Sequence, residues 1–145
     1  MVPDFELPDE TGSRRTLSEF LSRGPVVLFF YPAAMTMGCT AECRHFRDLA
    51  SEFAEAGAQR VGISRDAVDK QRRFSDQNAF DFPLLSDQDG AVARSFGVQR
   101  SFSLAPTKRT TFVIGRDRRV VAVIRSELNM RVHADRALEA LRRPD

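Results

Sequence analysis

The sequence predicts an α/β fold with a central mixed sheet covered by helices on both faces. Three observations carry that reading. Val26–Tyr31 is an unbroken apolar run, Val-Val-Leu-Phe-Phe-Tyr, rich in β-branched and aromatic residues, as expected of a strand buried on both faces. Apolar runs then alternate with helical periodicities along the chain. Finally, Thr110–Ile114 and Val120–Ile124 are strand-like and separated by Gly115-Arg116-Asp117-Arg118-Arg119, the spacing of an antiparallel hairpin.

The elements follow in order. Phe5 and Leu7 alternate with polar residues, and Asp9-Glu10-Thr11-Gly12 is a turn, so the chain starts with a short hairpin or extended segment. Ser18–Ser22 predicts a short helix stopped by Gly24. Pro32 ends the buried strand. From about Cys39 to Ala56 the pattern is helical: Phe46, Leu49, Ala50 and Phe53 share a face, and Gly57 stands at the C-terminal cap. Val61-Gly62-Ile63 predicts a second strand. Asp66 is the expected cap of a helix carrying Val68, Gln71 and Phe74, with Asp69 as its capping-box partner. Phe82–Leu85 predicts a short strand and Ala91–Phe96 a short helix; after the hairpin a last amphipathic helix carries Val132, Leu138 and Leu141. A thioredoxin-like fold satisfies this order.

At 145 residues, 42% apolar and 29% charged, the chain is expected to be one domain spanning residues 1–145. A net charge of +2 argues against a nucleic-acid surface, which needs clustered positive charge. No apolar run reaches membrane-spanning length, and no basic-then-apolar leader is visible, so a cytoplasmic protein is expected, without membrane partners. Only Cys39 and Cys43 are cysteines. Four residues apart, they are too local to staple a fold, and in a reducing compartment a close pair points to redox or metal chemistry. Zinc would have Cys39, Cys43 and His45 as local ligands, with His133 distant; only three ligands, with His45 on a different helix face from Cys39, make a poor site, so neither metal nor cofactor is expected. His133 reads as a solvated residue near the last helix start.

The informative stretch runs from Tyr31 to Cys43. A strand leaves the sheet, turns through small residues and enters a helix near Cys39. The carboxyl end of such a strand is where α/β folds place ligand sites. A sulfur in the first helical turn meets unpaired N–H groups and the positive end of the dipole, which favour the nucleophilic thiolate. The hydroxyl of Thr36 can curl back toward the sulfur, Gly38 permits close backbone approach, and Pro32 can shield the site from water.

Pro32-x-x-x-Thr36-x-x-Cys39 matches the active-site motif of the peroxiredoxins. The flanking Phe29-Phe30-Tyr31-Pro32, Gly38-Cys39-Thr40 and Phe46-Arg47-Asp48 resemble the bacterioferritin-comigratory-protein or PrxQ branch. So do Pro3-Asp4-Phe5, Val61-Gly62-Ile63-Ser64, Phe82 to Asp87, Phe96-Gly97-Val98 and Arg109 to Ile114, covering most of the chain. The resemblance implies a thiol peroxidase acting on hydrogen peroxide and organic hydroperoxides, with thioredoxin or a similar thiol as reductant. Cys39 takes the place of the peroxidatic cysteine, Thr36 of the hydroxyl that bonds sulfur and peroxide, and Pro32 of the residue covering the pocket. Arg109 matches the arginine beside the sulfur and Glu42 the carboxylate orienting it. Arg47 and Arg125 are weaker candidates for supporting roles.

The sequence also departs from that branch. The resolving cysteine is usually five residues on; here position 44 is Arg and the second cysteine is Cys43. Met37 replaces a common Pro, and Gln99–Lys108 is a short loop without the family's aromatic and glycine pattern. Cβ atoms four apart on a helix lie about 5–6 Å apart, against about 3.5–4.5 Å in a disulfide. Cys43 is thus either a resolving cysteine, needing the helix to unwind, or an inert buried one with an external thiol resolving Cys39. Beside the peroxidase stand two other readings, a thioredoxin-like disulfide reductase and an inactive thioredoxin-like binding module. Both monomer and homodimer are compatible with the sequence.

Overall fold

The computed structural model describes residues 1–98 and 107–143. Among these, β1 (Glu6–Pro8) and β2 (Arg14–Thr16) form the initial hairpin, and α1 (Leu17–Leu21) follows, capped by the Thr16 hydroxyl accepting from the Glu19 N–H. The main sheet contains β3 (Val26–Phe30), β4 (Gln59–Ser64), β5 (Leu84–Ser86), β6 (Thr110–Ile114) and β7 (Val120–Arg125) in the order β5-β4-β3-β6-β7. The β5-β4-β3 part is parallel and the β3-β6-β7 part antiparallel, so the sheet is mixed as predicted. The remaining helices are α2 (Met37–Asp48), α3 (Ala50–Glu55), α4 (Val68–Asn78), α5 (Ala91–Ser95) and α6 (Val132–Arg142).

The central strand explains its own composition. Val27 and Phe29 pack into one core with α2, α3, α4 and α6, while Val26, Leu28 and Phe30 pack into a second core with α1 and α5. Both faces are covered, so alternation gives way to continuous hydrophobicity. On the first face the Phe29 and Phe46 rings stack with centroids 4.0 Å apart. Gly62 makes room there: a Cβ would stand 2.9 Å from Leu84 and 3.0 Å from Phe29.

Three expectations need correction. The helix predicted from Cys39 to Ala56 begins at Met37 and breaks at Leu49 (φ −96°, ψ 21°), dividing into α2 and α3. Asp66 does not cap α4, whose N-cap is Ala67 without a side-chain bond. The Asp66 carboxylate instead accepts from the Ser64 hydroxyl at 2.6 Å and the Ala34 N–H at 2.7 Å, tying the loop after β3 to the end of β4. Phe82 and Pro83 precede β5 instead of belonging to it. The predicted features of Gln99–Lys108 fall largely on residues 99–106, outside the described residues.

Candidate active site

Strand register brings the site together. Phe30 pairs with Thr110 across the antiparallel β3–β6 ladder, so the residue before β6, Arg109, stands beside the chain leaving β3. Thr110 in turn pairs with Arg125, which brings the segment after β7 alongside; there the Glu127 carboxylate accepts the Arg109 backbone N–H at 3.0 Å. The loop between β3 and α2 includes Met35 at φ 65°, a left-handed conformation that costs a non-glycine residue about 1–2 kcal/mol. The Thr36 carbonyl accepts the first α2 ladder bond, from the Thr40 N–H at 2.9 Å. The Gly38 and Cys39 N–H groups therefore precede the ladder and lie in the first turn.

Helix α2 buries Cys39, Glu42, Cys43 and Phe46, one stripe at helical spacing. The stripe carries chemistry as well as packing. The Arg109 guanidinium, 8% exposed, donates through Nη1 to Glu42 Oε1 at 2.6 Å and through Nη2 to Cys39 Sγ at 3.4 Å. A Cβ on Gly38 would come within 3.3 Å of that Nη2, so the guanidinium approaches over a residue that offers no side chain. Cys39 is 1% exposed, yet its sulfur has a charged donor rather than only hydrocarbon around it.

The expected cluster thus divides. Cys39, Arg109 and Glu42 are assembled. The Thr36 hydroxyl donates to the Ala33 carbonyl at 2.8 Å, not to the sulfur. Pro32 is half-buried directly after β3. Cys43 is buried, and both cysteines are free thiols on an intact helix. Burial, reinforced by the neighbouring charges of Glu42 and Cys39, pushes the Cys43 thiol well above the usual cysteine range. Arg47 donates to the Asn78 carbonyl and pairs with Asp48, serving the α2–α4 contact.

His133 is not solvated as the sequence suggested: it is fully buried, with Nε2 2.8 Å from the Ser126 carbonyl and Nδ1 2.8 Å from the Thr111 hydroxyl. His45 is held by Asp135 at 2.7 Å. Among the described residues no group of His, Cys, Asp and Glu is arranged to hold a metal.

Burial, opposed by the Arg109 charge, pushes the Glu42 carboxyl up to about 7. Burial alone would lower the Arg109 pKa, but the charges of Glu42 and Cys39 and its bonds to both raise it, so the guanidinium stays charged. The folded state therefore holds a proton on Glu42 that the unfolded chain releases from about 4.5 upward. That contribution is fully present below 4.5 and is lost as pH rises through about 7. Urea titrations should show the stability of the wild type falling relative to Glu42→Gln by roughly 1–3 kcal/mol between about pH 5 and pH 8. A pH-independent difference would contradict this.

The fold and this sulfur–guanidinium–carboxylate cluster define a thiol oxidoreductase on a thioredoxin-like sheet. Comparison with known proteins narrows the class. The AhpC/TSA family model matches residues 1–123. The crystal structure of peroxidoxin BcpB from Mycobacterium tuberculosis superposes with a TM-score of 0.94 at 63% identity, covering 97% of this chain and 93% of that one. A structure of the Xanthomonas campestris bacterioferritin comigratory protein gives 0.86 at 34% identity, covering 94% and 89%. Chloroplastic peroxiredoxin Q from Suaeda salsa is 36% identical over 141 residues, 97% of this chain and 65% of that protein. The chain belongs to the AhpC/TSA family and is a peroxiredoxin of the bacterioferritin-comigratory-protein/PrxQ branch, a thiol peroxidase that reduces hydroperoxides at the expense of a thiol reductant.

Proposed function

We propose that Cys39 is the peroxidatic cysteine and that Arg109, held by Glu42, is the charged donor for its reaction. The observation that carries this is the Arg109 Nη2 contact to Cys39 Sγ at 3.4 Å, fixed from behind by the 2.6 Å hydrogen bond to Glu42. The Cys39 thiolate attacks one peroxide oxygen; the S–O bond forms as the O–O bond breaks. The leaving oxygen departs as hydroxide or alkoxide, takes up a proton, and Cys39 is left as the sulfenic acid. Negative charge spreads over the sulfur and both oxygens in the transition state. A guanidinium and first-turn N–H groups already aimed at that line stabilise it without reorganising. Thr36 joins them when the peroxide draws its hydroxyl from the Ala33 carbonyl, and Pro32 limits water at the mouth.

The substrates include organic hydroperoxides as well as hydrogen peroxide; the alkyl peroxide reduction of the Xanthomonas relative supports this. Resolution runs through Cys43 after the first turns of α2 unwind. The weak start of that helix favours such opening: Thr36 makes no side-chain cap bond, and Met37 is 90% exposed. A thioredoxin-type dithiol in the cytoplasm then reduces the disulfide by exchange. The whole chain acts as one domain.

A coupled assay tests this reading. Peroxide consumption supported by thioredoxin, without reduction of insulin disulfides, is expected; the reverse pattern would identify a disulfide reductase, and neither activity a binding module. In mass spectra after one equivalent of peroxide, Cys43→Ser should retain sulfenic acid where the wild type forms an internal disulfide. The same stable sulfenic acid and turnover in both proteins would make the resolving thiol external.

A further inference from the structure

The buried imidazole of His133 is unused by the mechanism above, and its surroundings limit what it does. The Ser126 carbonyl can only accept, so Nε2 carries the hydrogen of that bond. Nδ1 faces the Thr111 hydroxyl at 2.8 Å and, at 3.7 Å, Glu42 Oε2. That oxygen is buried without a hydrogen-bond partner, although its twin Oε1 is bound to Arg109 at 2.6 Å. At 3.7 Å this contact is electrostatic and not a hydrogen bond, and Nδ1 keeps Thr111 as its partner; an unprotonated Nδ1 beside an unpartnered buried carboxylate oxygen is repulsive, so one proton on either group relieves the site.

We propose that His133 is a positioning residue for the peroxide reaction: coupled electrostatically across 3.7 Å, His133 and Glu42 together hold one proton, on one group or the other, so that Glu42 grips Arg109 without cancelling the guanidinium charge at the Cys39 sulfur. This rests on Cys39 being the reacting sulfur. The proton resides on Glu42 Oε2 or on His133 Nδ1, and in either case the pair is neutral. Arg109 then presents a net positive charge to the sulfur. When the proton leaves, the pair carries a net negative charge, with a Glu42 carboxylate 2.6 Å from Arg109, and the field at the sulfur weakens.

Two shifts agree with the geometry. Burial pushes Glu42 up to about 7, and burial aided by the Arg109 charge holds the His133 imidazole below its usual value. The charged and titratable groups around the pair are Cys39 and Cys43 from α2, Arg109 ahead of β6 and Glu127 after β7. Of these, Arg109 favours loss of the pair's proton, and Glu127 favours keeping it. The nearby Asp135, on α6 itself, is bound to His45 instead.

The test uses the reduced full chain labelled with 15N-histidine, the two histidines being distinguished by His45→Asn. The rate constant of Cys39 with hydrogen peroxide, per thiolate, is followed against pH by stopped flow beside the His133 nitrogen resonances. The rate should fall at alkaline pH with the same midpoint as the His133 resonances move. Glu42→Gln, whose amide cannot ionise, should abolish that fall. His133→Gln retains a donor for Ser126 but nothing at Nδ1, and should move the fall about one pH unit lower. A His133 signal unchanged through the fall, a wild-type profile without one, or superimposable wild-type and His133→Gln profiles would overturn the proposal. The wild-type spectra decide even where a variant fails to fold. A Cys39 that does not react with peroxide at all would instead overturn the reading on which the proposal rests.

Discussion

Arg109→Met should lower the rate constant for peroxide reduction by about 10²–10³-fold, the effect of removing one preorganised donor from a developing oxyanion. Methionine keeps much of the apolar stem but supplies neither the fork nor the charge. The sulfur loses its 3.4 Å donor and Glu42 loses its 2.6 Å partner. Stability carries a second signature. Removing one partner of a buried pair typically costs about 3–5 kcal/mol. Glu42, already pushed up to about 7, escapes much of that by remaining protonated, so the loss should be larger above neutral pH than below it. Stopped-flow oxidation and urea titrations at two pH values measure both. Arg109→Lys should recover charge but not the two-pronged geometry, and should fall between wild type and Arg109→Met. An Arg109→Met rate within a few-fold of wild type would remove the guanidinium from the mechanism.

Cys39→Ser should abolish peroxide reduction while leaving the fold intact. A serine hydroxyl does not ionise at working pH and does not attack an O–O bond, whatever surrounds it. The exchange alters little volume at a position 1% exposed, and Arg109 Nη2 can still donate to the new oxygen, so the stability change should stay within about 1 kcal/mol. Cys43 should not substitute, because it is fully buried on the α2 stripe with its thiol held in the protonated form. A coupled peroxide assay and a urea titration check the two halves of this expectation. Residual turnover near wild type would assign the chemistry to the other thiol.

The fold was readable because its signals are local and strong. The apolar run of β3, the β6–β7 hairpin spacing and the Gly57 cap each act over a few residues. The break at Leu49 was not, because Leu49 and Ala50 continue the apolar spacing and the backbone turn there carries no glycine or proline. Asp66 carried a capping pattern, but its carboxylate answers the hydroxyl of Ser64, two residues back, and the Ala34 N–H, which only the folded sheet brings near. Within the site, the family resemblance singled out Cys39, Glu42 and Arg109, and the buried face of α2 that carries Cys39 and Glu42 emerged only in the structure. The contact of Arg109 with both depends on the β3–β6 register, which no local pattern encodes. His133 did leave a trace: His133, Ala137 and Ala140 recur at the four-and-three spacing of a buried face on α6. A histidine among small apolar residues reads as solvated until Thr111, Ser126 and Glu42 arrive from three other elements.

Peroxide is expected to react at Cys39 and at no other side chain of the protein. The most direct measurement of this treats the reduced Cys43→Ser protein with one equivalent of hydrogen peroxide in the presence of a sulfenic-acid-trapping diketone, followed by tandem mass spectrometry. A single stoichiometric adduct is expected on the peptide carrying Cys39, formed faster than free cysteine reacts. Peroxide consumed at the normal rate with no adduct on Cys39 would contradict this expectation.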